Sequence, residues 1–294
     1  MKLSFTTLDA FTTTPYAGNA VAIISVPASE KAALSQSQKQ TIAREFNLSE
    51  VVFLHLPSPG ASYEHINIDI FTSMAEVPFA GHPTIGASYY LLHQLGKDTK
   101  AVITKSGTIP IEIDSLTGLV KAVIPQAFHI HRKTFTSDLS DLHHPIVSIV
   151  KGMSFILAVL PDLETLTRAS ENLNGDTADN SPLDKGWQEG IVGTMYLVAQ
   201  GIDRFGRKKY RTRMFAHRED PGTGSASSAL GAWLALQEEE AGKGPFRYVF
   251  TQGIEMGKRN DISVEVTRDE AGTGIENILL SGPAVKVMEG TLEI

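Results

Sequence analysis

The chain has 294 residues, 42% of them hydrophobic and 20% charged, with a formal net charge of −7; that is ordinary globular composition with length enough for one large or two smaller cores. The acidic balance argues against bulk binding to nucleic acid or to an anionic membrane, which needs a basic face, but leaves room for a local basic pocket. There is no cysteine, so disulfides, thiolate metal ligands and cysteine nucleophiles are excluded.

The opening MKLSFTTLDAFTTTPYAGNA has too short an apolar run for a signal peptide. No run approaches the about 18 apolar residues of a membrane span, so a cytoplasmic location is expected. KLSFTTLDAF and AVAIISV read as strands, being rich in β-branched residues and bounded by turn formers. Residues 34–47 read as an amphipathic helix, with Ile42 and Phe46 four apart on one face. Strands follow at VVFLHL and INIDIFT. Residues 84–96, TIGASYYLLHQLG, are apolar nearly all round, which predicts a buried helix. AVITKSG, IPIEI and LVKAVI are strands again.

Residues 128–145 are polar, with scattered charge and histidine, and read as a linker or crossing segment. Strands then resume at VSIV, SFILAVL, GIVGTMYLVAQG and KYRTRMFA, and later at FRYVFTQG, DISVEVTR, NILLSG and AVKVMEGTLEI. Residues 172–186 read as a polar surface loop, and residues 225–241 as a second long apolar helix. Each half therefore holds several strands and one apolar helix reached through a glycine-rich turn. That is a twofold repeat, not a solenoid. The simplest architecture that buries both helices is α+β: two pseudo-symmetric lobes, each a barrel-like, mostly antiparallel sheet around a central helix.

The two helix starts carry the chemistry-bearing residues. In PFAGHPT, Pro83 suits a first turn, where its missing N–H is not needed. Gly81 permits a tight backbone or a close ligand, and His82 stands at the mouth. The free N–H groups and positive dipole end of a helix N-terminus attract an anion. In EDPGTGSAS, Gly222 and Gly224 open the backbone, and Ser225 can cap the helix or donate to an anion. Neither stretch is specific alone. Asp220 suits a helix N-cap, and an isolated histidine is more often structural. GTGS lacks the lysine of a phosphate-binding loop, and no GxGxxG follows a strand, so nucleotide binding is rejected. In NLSEVVFL, Glu50 lies between a helix and an apolar strand, as a surface end-cap or, if turned inward, as a proton shuttle. Asn19, in YAGNAVAI, is either a turn residue or a further site residue.

At these residues the sequence resembles the phenazine-biosynthesis PhzF-like family, within the diaminopimelate epimerase-like superfamily. The resemblance runs through LDAFTTTPYAGNAVAII, NLSEVVFL, DIFTSMAEVPFAGHPTIGAS, RMFAHREDPGTGSA and SGPAVKVMEGTLEI. It implies a two-lobed fold with the active site in the cleft between the lobes and the last strand returning to the first lobe. The lobes are then expected at 1–127 plus 283–294 and at 128–282. The epimerase relatives use two cysteines at the two helix starts, a mechanism this chain cannot share. The resemblance instead implies an isomerase with Glu50, His82 and Asp220 as catalytic residues and Glu50 as base and then acid. Asn19, Gly81, Gly224 and Ser225 are expected to bind substrate. No metal and no organic cofactor is implied. The expected partner is a small carboxylated metabolite, with homodimer formation and with neither nucleic acid nor membrane. Family members usually carry more residues between the RxFAP strand and EDP; here RMFA runs almost directly into His217, Arg218, Glu219 and Asp220. Met74 stands where the FTP turn usually has proline. A cyclisation or elimination on the same site, or a non-catalytic small-anion binder, are the alternative readings. A carboxylate facing the ligand speaks against the binder.

Overall fold

The computed structural model describes residues 1–175, 179–239 and 242–294. It contains two compact units, Met1–Val123 with Ser281–Ile294, and Ile124–Leu280. The first holds β1 (Lys2–Ala10), β2 (Asn19–Val26), α1 (Gln36–Phe46), β3 (Glu50–His55), β4 (His65–Phe71), β5 (Glu76–Val77), α2 (Gly81–Tyr89), β6 (Ala101–Thr104), β7 (Gly107–Ile113) and β8 (Val120–Val123). The second holds β9 (His129–Ser137), β10 (Ser140–Val150), β11 (Gly152–Val159), α3 (Leu163–Arg168), β12 (Gly190–Ile202), β13 (Lys208–Phe215), β14 (Glu219–Asp220), α4 (Gly224–Gln237), β15 (Phe246–Gln252), β16 (Asn260–Arg268) and most of β17 (Ile275–Gly282). The last strand, β18 (Ala284–Glu293), returns to the first unit and pairs antiparallel with β1.

Pairing repeats in the same order in both units. In the first, β1 pairs antiparallel with β2, β2 parallel with β3 across α1, and β3 antiparallel with β4. β4 then pairs with the two-residue β5 just ahead of α2, and parallel with β6 beyond it. In the second, β10, β11, β12, β13, β14 and β15 repeat those steps, with α3 at the first crossover and α4 at the second. The expected twofold repeat is thus a repeat of topology.

The apolar helices are the centres of their units. Every residue of α2 from Gly81 to Ser88 is buried, and so is α4 from Gly224 to Ala232. A helix without a polar face has no other stable place. The helix expected at 84–96 starts three residues earlier and passes into a π-helical turn at Tyr90–Gln94. Pro83 did not mark its first residue, because any N–H of the first turn lacks an intrahelical acceptor. α4 starts at Gly224; the final two residues of the expected helix, 240 and 241, lie outside the described residues. The outer face of the first sheet packs Leu3, Ala22, Ile24, Val51 and Phe53 against Ala43 of α1, whose Ser35 and Gln38 form a capping box.

Residues 128–145 are not a linker. They form β9, a two-residue turn and the first half of β10. Their outer positions are solvated, so half of the hairpin is polar by necessity. His131 and His144 occupy buried positions where apolar residues were sought, each bonded through Nε2 to a serine, Ser148 and Ser137 respectively. α3, only six residues long, gave no periodicity to read. Residues 172–186 are loop wherever described. No described helix is long and apolar enough to cross a membrane.

Candidate active site

Strand parity places the first group. Val21 packs on α2, since a Cβ on Gly86 would lie 2.6 Å from its Cγ1. Glu50 stands in parallel register with Val21, and Asn19 lies two residues before it. All three side chains therefore project from the face of the sheet that α2 covers. His82, the second residue of α2, meets them there. Its Nδ1 lies 3.3 Å from Asn19 Nδ2, and its Nε2 lies 3.5 Å from Glu50 Oε2. The Ser49 hydroxyl donates to Asn19 Oδ1 at 3.2 Å. The His82 side chain is 4% exposed and that of Glu50 17%. Glu50 is thus turned inward at the head of β3 and is not a surface cap. Gly81, beside His82, is the first residue of α2, behind an alanine that supplies no side-chain cap.

The second group sits at the start of α4. Asp220 ends β14, and its Oδ2 accepts the Thr223 hydroxyl at 2.6 Å while Oδ1 accepts the Gly222 N–H at 3.3 Å. The N-cap position belongs to Thr223, not to Asp220, and Thr223 makes no side-chain cap because its hydroxyl is turned to that carboxylate. Gly224 is the first helical residue and Ser225 the second, so Ser225 lies within the helix and does not cap it. Gly222 has no room for a side chain: a Cβ would lie 2.5 Å from Asn260 Oδ1.

The sequence pointed to these seven positions but not to the residues that hold them. Gln252, fully buried at the end of β15, donates to the Asp220 carbonyl at 2.6 Å and accepts the Thr223 N–H at 3.1 Å. Asn260 donates to the carbonyls of Pro221 and Lys258. Arg213 binds both oxygens of Glu219, at 2.7 and 2.8 Å, and also the carbonyls of Leu166, Thr167 and Ala169. For Gln252 the signal available was a polar residue closing a strand just ahead of a glycine; Asn260, which opens β16, and Arg213, inside β13, carried no such signal.

Among the described residues, His129, His131 and Asp184 have the spacing of metal ligands. They are hydrogen-bonded to one another and to their neighbours. His131 Nδ1 accepts the Asp184 backbone N–H at 3.0 Å, its Nε2 pairs with Ser148 Oγ at 2.8 Å, and His129 Nε2 lies 3.0 Å from Asp184 Oδ2. Burial lowers the pKa of the His131 ring, and Trp187 stacks on His129 with centroids 4.8 Å apart. This is a clasp between β9 and a loop.

Residues 8–290 match the model of the PhzC-PhzF family, described as phenazine biosynthesis-like protein. A trans-2,3-dihydro-3-hydroxyanthranilate isomerase of Pseudomonas fluorescens is 29% identical over 98% of this chain and 99% of its own length. An uncharacterized isomerase of Mesorhizobium japonicum is 27% identical over 97% of each. The crystal structure of a PhzF-family phenazine biosynthesis protein from Bacillus anthracis superposes with a TM-score of 0.74 over 100% of both chains, at 22% identity. The family model spans nearly the whole chain, and its relatives are isomerases: the chain belongs to the phenazine biosynthesis-like family and is an isomerase of the PhzF type.

Proposed function

We propose that this isomerase moves a proton between two carbons of a small carboxylated, unsaturated or cyclic metabolite, without a cofactor, and that Glu50 both takes and returns that proton. The observation that carries the reading is the half-buried Glu50 carboxylate, held on the α2 side of β3 with His82 Nε2 at 3.5 Å. As base, Glu50 removes a proton from carbon, and the electron pair of the C–H bond passes into the adjacent conjugated system. As acid, it gives the proton to a carbon further along that system, so no atom is gained or lost. His82 orients the carboxylate, and Gly81 offers backbone N–H groups at the positive end of α2 for the substrate carboxylate. Asp220, Gly224 and Ser225 are proposed as further groups for substrate binding and polarisation.

The test uses trans-2,3-dihydro-3-hydroxyanthranilate, the compound named for the Pseudomonas relatives, together with a panel of carboxylated dienes in deuterated water followed by NMR. The expected result is an isomer of the same skeleton, carrying deuterium at the newly formed C–H to the extent that the protonated Glu50 exchanges with solvent before returning its proton. Glu50→Gln keeps the shape and cannot accept the proton, and it should lose at least about two orders of magnitude in turnover while still binding substrate. A wild-type rate in Glu50→Gln would reduce Glu50 to a strand cap. A cyclised or dehydrated product would move the chemistry to cyclisation or elimination.

A further inference from the structure

We propose that Asn19 and Ser49 are positioning residues that lock His82 in the tautomer carrying its proton on Nε2, so that His82 serves Glu50 as a neutral hydrogen-bond donor and not as a base. The functional consequence rests on the proton-transfer reading of Glu50; the lock itself does not.

The direction of each bond follows from the one before. The Ser49 hydroxyl donates to Asn19 Oδ1 at 3.2 Å, so the amide turns its oxygen to Ser49 and its NH2 to His82. The other end, Nδ2, is a donor only, and it faces His82 Nδ1 at 3.3 Å. Nδ1 must therefore present its lone pair. A neutral imidazole carries one ring proton, which is left on Nε2. Nε2 faces Glu50 Oε2 at 3.5 Å, a separation that closes to a hydrogen bond with a small shift of either side chain.

A proton on Nδ1 would set an N–H against the Asn19 N–H, with Asn19 2% and His82 3% exposed. His82 cannot take a proton from substrate without breaking its bond to Asn19. What it can do is hold Glu50 Oε2 and so orient the carboxylate. Asn19 is then assigned to His82, and not to substrate. Ser49, whose neighbour in the chain is Glu50 itself, enters the site for the first time.

The experiment reads the His82 ring by NMR in protein labelled with nitrogen-15 at histidine, with His82→Gln assigning its signals. At neutral pH the wild type should show a bare Nδ1 and a protonated Nε2. Asn19→Asp keeps the shape but offers Nδ1 an acceptor, so both nitrogens should become protonated. Ser49→Ala frees the amide to turn over, and a second population with Nδ1 protonated should appear. Thermal unfolding of both variants near the wild-type midpoint excludes a general loss of structure. Turnover by either variant should fall about tenfold in kcat with KM little changed, as expected for misdirected proton transfer and not for lost binding. A protonated Nδ1 in the wild type, or an unchanged neutral ring in Asn19→Asp, would overturn the lock. If the wild type turns over none of the dienes, the functional reading fails, and the ring signals still decide the tautomer.

Discussion

Glu50 and Asp69 show how neighbouring strands put like residues to unlike use. Phe53 stands opposite Asp69 in the β3–β4 register and packs on the α1 side, so Asp69 shares that side while Glu50 faces α2. Asp69 accepts from Lys39 Nζ at 2.5 Å and lies 2.8 Å from His55 Nε2. Burial raises its pKa, but the bonds from His55 and Lys39 outweigh that and hold it at about 2. A carboxylate with a lowered folded-state pKa stabilises above its unfolded value and loses that contribution as pH falls. Unfolding should therefore become easier between about pH 4 and pH 2, by on the order of 1–2 kcal/mol after discounting for residual exposure. Asp69→Asn should flatten that window and cost about 3 kcal/mol at pH 7, because Lys39 is left buried without its counter-ion; denaturant titrations across pH read both effects. A lysine on a helix reads as solvent-facing, and nothing near Lys39 in the chain announces a partner 30 residues away. Glu50 and His82 were legible because each sits in its own short motif. Their contact was not, since it depends on strand parity and register.

Among the elements, the four α-helices of the described residues divide by their N-termini. α1 and α3 are capped by the side chains of Ser35 and Asp162, whereas α2 and α4 begin behind Ala80 and Thr223, which supply no side-chain cap. The peripheral helices are closed by side chains, and the central ones are not. That division was half legible: the glycine-rich starts stood out, but the six-residue α3 and the β9–β10 hairpin did not. Close packing fixes where α2 puts His82. Gly86→Ala would drive a methyl against Val21 at 2.6 Å, and Val21 pairs with Glu50. The change should cost about 1–3 kcal/mol and lower kcat as well, because α2 and β3 can no longer keep their spacing. A folded variant with wild-type kcat would show that the His82–Glu50 spacing is not set by this contact. In the second unit, Arg213 ties β14 to β13 and to the end of α3 through Glu219 and three carbonyls. Arg213→Lys keeps the charge and loses the fork. It should destabilise by about 3 kcal/mol and shift the Gly222 amide resonance, whereas Arg211→Lys, in the neighbouring ion pair with Glu255, should leave that resonance in place.

Over the whole chain, the duplicated pairing lets each residue be matched with its counterpart by register alone. Phe71 pairs with Glu76 as Phe215 pairs with Glu219, and the helix starts five residues later in each case, at Gly81 and at Gly224. His82 then corresponds to Ser225, and Asp220 to Val77. Counting back, Val51 pairs with Phe71 as Thr194 pairs with Phe215, so the counterpart of Glu50 is Gly193. The frame is repeated and the chemistry is not. A two-base racemisation would ask each repeat for a base, and the second repeat has a glycine at the position where the first has its carboxylate. Gly193 is also closed to any larger residue: a Cβ would lie 2.8 Å from Met214 Cε and 3.1 Å from the Phe215 carbonyl, and a backbone oxygen yields little. We therefore expect Gly193→Ala to lower stability by about 1–3 kcal/mol while the folded protein keeps its kcat. Gly193→Glu introduced into Glu50→Gln should remain as slow as Glu50→Gln alone, since the new carboxylate has neither the space nor a histidine at the matching helix position to orient it. Turnover of the double variant measured against both single variants checks this. Recovery of activity would mean that the two repeats are interchangeable as sources of the base, and the single-carboxylate mechanism would have to be abandoned.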